Sequence, residues 1–133
     1  MTAQETELFE RIKAYGGPGR NVGNTLDFYP SDDFLIQLTV EYNAESASVF
    51  TMGKDAHFLW VGTRDTIILP IALYEGEHEI LIKHTHPRGT ESPSRFDIEW
   101  LVKSQNNGSP QIKSLILPIG KNRISFNRNT PYL

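Results

Sequence analysis

One run, Glu79-Ile80-Leu81-Ile82-Lys83-His84-Thr85-His86-Pro87, constrains the fold of this chain more than any other feature. Its first five residues are rich in strand formers and read as a β-strand that delivers the chain directly into His84. Pro87 to Pro93 then forms a loop, and Ser94 to Lys103 reads as a helix with Phe96, Trp100 and Leu101 on its apolar side. Ser92 is expected as its N-cap, Pro93 as its first helical residue, and Asp97 in its early turns. A strand, a short loop and a helix in this order predict an α+β fold with a helix laid on a sheet.

The remaining elements fit around that unit. Residues 3 to 14 carry Leu8, Phe9, Ile12 and Ala14 among charged neighbours, predicting a short amphipathic helix capped by Thr2. Gly16-Gly17-Pro18-Gly19 ends it. The glycines through Gly23 read as a connector, since no preceding strand and no following Lys-Ser/Thr make a phosphate loop. Phe34, Ile36, Leu38, Val40 and Tyr42 alternate with polar residues, predicting a strand with one buried face. Further strands are expected at 48 to 52, 57 to 61 and 66 to 69. Residues 112 to 117 and 123 to 126 are expected to close the fold as a hairpin around Gly120-Lys121-Asn122. The expected whole is one domain with a mixed or antiparallel sheet and flanking helices. Within it, 1–30 forms a helix and connector, 31–128 the core and 129–133 a tail.

At 133 residues with 38% apolar content, the chain can bury a core without needing a metal or disulfide to fold. It has no cysteine, so any metal must be held by histidine and carboxylate. A net charge of -3 with scattered Lys and Arg lacks the basic face of a nucleic-acid binder. No apolar run approaches the roughly 18 residues of a membrane span, and the N-terminus lacks a signal-peptide pattern. These features predict a cytoplasmic protein with no nucleic-acid or membrane partner, unless it is a domain cut from a larger exported protein.

Chemistry concentrates after the constraining strand. His84 and His86 are two apart and share a strand face, and Ser94 and Asp97 are three apart and share a helix face. If those faces meet, two imidazole nitrogens and one carboxylate converge on a divalent cation, leaving a coordination position open for water. A His-x-His pair alone is more often a surface pair, but the added register of Pro87, Ser94 and Asp97 favours a metal site. His57 and His78 have no partner at ligand spacing, and Trp60 and Trp100 read as core residues.

The pattern His84-x-His86-Pro87, seven residues, Ser94, two residues, Asp97 resembles the JAMM motif of the MPN/JAB metalloprotease domain. The wording around it, and the closing Ser114 to Phe126 segment, also look like JAB-like domains of bacterial polymorphic toxins. The resemblance spans about residues 35 to 127. It implies zinc held by His84, His86 and Asp97, with Ser94 assisting the oxyanion of amide hydrolysis on a protein or peptide substrate. The family also places a general-base Glu ahead of a strand with small residues, usually entered from a helix. Glu45 fits that place best and Glu41 is second, while Glu75, Glu77 and Glu79 lie too near His84. Two functions follow: a zinc metallopeptidase or isopeptidase, or a catalytically inactive JAB-like binding or accessory module of a bacterial toxin system.

Overall fold

A computed structural model describes residues 1–15, 20–21, 26–64, 67 and 78–132, with the backbone alone for Tyr15, Arg20 and Asn21. The chain is α+β. Helix α1 (Ala3–Tyr15), strand β1 (Arg20–Asn21) and helix α2 (Asp32–Tyr42) lead into β2 (Ser46–Thr51) and β3 (Ala56–Val61). Strand β4 (Glu79–His86), helix α3 (Arg95–Asn106), β5 (Lys113–Pro118) and β6 (Ile124–Asn127) complete it. The sheet order is β1-β3-β2-β4-β5-β6. Among the described strands only β4 and β5 run parallel, because α3 carries the chain between them, and the closing β5–β6 hairpin is antiparallel as expected. Apart from Ile67, the strand expected at 66 to 69 and the loop after it lie outside the described residues, as does most of the glycine connector.

The strand expected over residues 34 to 42 is helix α2 instead. Ser31 caps it by accepting from the Phe34 N–H at 3.2 Å, and Asp32 and Asp33 complement its positive end. Its buried residues are Phe34, Leu35, Leu38 and Thr39, a helical stripe, while Val40 points to solvent at 68% exposure. Leu35, apolar and out of phase with the alternation, was the signal against a strand. At the N-terminus, Thr2 and Glu5 exchange hydrogen bonds of 3.1 and 3.0 Å as a capping box for α1. Glu5 also accepts from the Ser31 N–H and hydroxyl at 2.9 and 2.7 Å, tying the two helix starts together.

The sheet divides the interior. On one side α1 and α2 bury Leu8, Ile12, Phe34, Leu35 and Leu38 against Leu59 and Leu117. On the other, Ile98 and Leu101 of α3 pack on Ile116 and Phe126. Ile116 and Leu117 are successive residues of β5, so strand alternation sends them to opposite layers.

A bulge in β4 sets which residues face α3. Lys83 pairs with Ser48, yet Leu81 pairs with Val49, leaving Ile82 as the extra residue. The bulge reverses the alternation, so Leu81, His84 and His86 all face α3. Pairing with β5 begins at Lys83, and the Gln111 amide stands in for a strand partner one step earlier. It accepts from the Leu81 N–H at 3.1 Å and donates to the Leu81 carbonyl at 2.6 Å.

Candidate metal centre

Strand β4 runs through both histidines, so they are held inside the sheet rather than in the loop. His84 pairs with Ala47 on β2 and with Ile116 on β5. Packing also fixes its ring, which sits edge-on to Phe126 with centroids 6.3 Å apart. His84 is fully buried and His86 is 8% exposed. Their Nε2 atoms face each other at 3.1 Å.

Helix α3 brings the carboxylate. Its N-cap is Ser94, two residues later than expected, and Pro93 lies before the helix. The Ser94 hydroxyl accepts from the Asp97 N–H at 3.1 Å, and the Ser94 N–H donates to Asp97 Oδ2 at 2.8 Å. This capping box turns the Asp97 carboxylate back toward the sheet. Oδ1 lies 3.3 Å from His84 Nε2 and Oδ2 lies 3.4 Å from His86 Nε2. The Asp97 side chain therefore completes the capping box and approaches both histidines at once. Residue spacing alone suggested that Ser94 and Asp97 share a face, and the box explains their relative orientation.

Register brings Glu45 to the same place. Its N–H donates to the Thr63 carbonyl at 2.8 Å, and its carbonyl accepts from the Gly62 N–H at 2.7 Å. That pairing extends β2 backward by one residue. Glu45 thus shares a face with Ala47, the residue opposite His84. A Glu45 carboxylate oxygen and one ring nitrogen from each histidine lie within 4.8 Å of one another, and all three residues are buried. Glu41 does not join them: it is exposed on α2, 4.0 Å from Lys13. The strand expected ahead of Glu45 is a helix that ends at Asn43 in the left-handed conformation, φ 49°.

Two carboxylates therefore flank one imidazole pair. Asp97 directs one oxygen at each ring, at 3.3 and 3.4 Å.

Electrostatics follow from this crowding. Burial alone raises the Asp97 carboxyl, but the charge of His84 and hydrogen bonds from His84, His86 and the Ser94 N–H outweigh it. They hold the group well below the usual carboxylate range. Burial lowers His86, yet hydrogen bonds to Asp97 and the Thr90 carbonyl, with the charges of Asp97 and Glu45, leave it raised overall.

The donor set fits a divalent cation. His86 Nδ1 lies 2.8 Å from the Thr90 carbonyl, which can only accept, so neutral His86 presents a lone pair at Nε2. This is the outer-shell bond typical of a metal-ligating imidazole. The lone pair points at another ring nitrogen and at a carboxylate oxygen, an arrangement satisfied by a shared proton or cation. Among the described residues His84 Nδ1 has no hydrogen-bond partner. The group Glu45, His84 and His86 can hold a metal ion.

The cluster opens onto a cavity of about 520 Å³ whose lining includes Glu45, His86, Ser94 and Asp97. Leu81, Trp100 and the exposed Phe96 supply apolar surface to the same cavity. Residue types could not reveal the Thr90 carbonyl, because a backbone acceptor leaves no trace in a motif. Among the described residues no helix is long and apolar enough to cross a membrane. No family model, curated protein or solved structure matches this chain.

Proposed function

We propose that this protein is a zinc-dependent hydrolase of amide bonds, of the JAMM type that its motif resembles. The observation that carries this reading is the convergence of Glu45, His84, His86 and Asp97, drawn from three parts of the chain, beside an open cavity. His84, His86 and Asp97 would hold the ion, because their three donors already meet. A bound zinc ion supplies Lewis acidity that polarises a carbonyl and acidifies water.

The chain's own groups account for the proton transfers. Glu45 accepts a proton as general base and returns it to the leaving amine. Its burial beside two imidazoles keeps that proton from bulk water. Ser94 uses one lone pair for its cap, so its O–H proton is still free to be given to a developing oxyanion. The apolar part of the cavity suits side chains of a peptide substrate. Strands β2 and β4 are each paired on both sides, so a substrate reaches the site through the cavity and not by adding a strand there.

The test combines metal analysis with hydrolysis of peptide and isopeptide substrates. Wild-type protein is expected to carry about one zinc per chain, and His86→Ala close to none. Glu45→Gln is expected to keep the metal while losing about 10²- to 10⁴-fold in rate. Zinc near zero in both wild type and His86→Ala removes the proposal. Full metal uptake with no hydrolysis by wild type would favour the accessory-module reading.

A further inference from the structure

We propose that Lys121 is a positioning residue for the metal centre, acting through the peptide segment that orients His86. The inference rests on the metal-site reading above.

His86 is steered by a loop carbonyl, so the loop must itself be held. Thr90, which supplies that carbonyl, sits between two residues that Lys121 grips. Lys121 Nζ donates to the Gly89 carbonyl at 2.7 Å and lies 3.5 Å from the Glu91 carboxylate. The ammonium thus brackets Thr90 from both neighbours in sequence. Its own backbone is anchored in the β5–β6 turn, where the Lys121 N–H donates to the Pro118 carbonyl at 3.2 Å.

The turn and the loop also meet at His86 directly. The His86 carbonyl accepts from Gly89 N–H at 3.0 Å and from Ile119 N–H at 3.2 Å. Gly89 takes φ +73°, and a Cβ there would stand 3.0 Å from the Ile119 carbonyl oxygen. Only glycine lets the two segments approach this closely without strain. The β5–β6 turn is therefore a brace for the histidine loop, and Lys121 is its one charged tie to the Thr90 segment among the described residues.

Removing the tie frees the Thr90 carbonyl and lets the His86 ring choose between its two tautomers. Lys121 is half-exposed, so its replacement leaves the core intact. Lys121→Met keeps the aliphatic stem and removes the charge, whereas Lys121→Arg keeps both. Zinc affinity is measured by competition with a chelator, and the His86 tautomer in metal-free protein by long-range ¹H–¹⁵N spectra. Lys121→Met is expected to weaken zinc binding about 10-fold and to mix the tautomers, with Lys121→Arg restoring most of both. Zinc binding by Lys121→Met as tight as wild type overturns the inference, as does an equal loss in Lys121→Arg. If wild type takes up no zinc, the metal reading fails, and the tautomer comparison still decides whether Lys121 positions His86.

Discussion

Strand β4 sends buried polar residues to both sides of the sheet, and the two sides resolve them differently. Toward α2, Lys83 meets Asp32 at 2.7 Å and lies over the Tyr29 ring at 4.5 Å. On the same side the Thr85 hydroxyl lies 2.6 Å from that of Thr39 and accepts from the Ser46 N–H at 2.8 Å. Cation meets anion there, and donor meets acceptor. Toward α3, two ring nitrogens oppose each other at 3.1 Å with carboxylates around them. On one side both polar residues of β4 have partners of complementary chemistry. The other is arranged as a set of donors for something else, and that asymmetry separates scaffold from site.

The largest expected effect lies on the scaffold side. Asp32→Asn leaves the Lys83 ammonium, 2% exposed, without its carboxylate, and is expected to cost about 3 kcal/mol. Urea unfolding reads the loss, and zinc uptake by the folded fraction should be unchanged. A matching loss of metal would break the division between the two sides.

The second effect belongs to the site. Zinc at 100 times its dissociation constant is expected to stabilise wild type by about 2.7 kcal/mol. His84→Ala should show none of that gain when chelated and zinc-loaded samples are compared by thermal unfolding.

Thr85→Val is next. It leaves the buried Ser46 N–H without its acceptor and is expected to cost about 2 kcal/mol in urea, again with metal binding retained.

The smallest effect concerns Glu79, at the start of β4. Burial pushes its carboxyl up to about 7, outweighing the opposing charge of Lys54. A carboxyl raised in the folded state binds a proton more readily there than in the unfolded chain. Its contribution to stability is therefore present at low pH and is lost as pH rises from about 4.5 to about 7. Because the side chain is only half-buried, the loss is expected to be about 1 kcal/mol. Glu79→Gln should remove that dependence when unfolding is compared at pH 5 and pH 8. An unchanged slope would show that another group sets it.

How much of this was legible beforehand depended on the kind of signal. The β4-loop-α3 order was readable because strand formers, a proline break and a helix pattern are local properties. The candidate site residues were readable because His-x-His on a strand and Ser-x-x-Asp on a helix each place two side chains on one face. Residues 34 to 42 were misread because nine residues of mixed apolar character satisfy both periods, and Leu35 alone argued for the helix. The same ambiguity hides the helical approach to Glu45.

Local periodicity and residue chemistry, then, were enough to specify an α+β chain, a thiolate-free donor set and the segments that carry it. Tertiary structure decided which glutamate joins the histidines, through an extra strand pairing with residues 62 and 63 that no nearby pattern encodes. It also decided that Ser94 caps the helix, that a bulge turns Leu81 to the side of the histidines, and that Thr90 steers His86. These outcomes depend on register and backbone hydrogen bonds between distant segments, and such contacts exist only once the sheet has assembled.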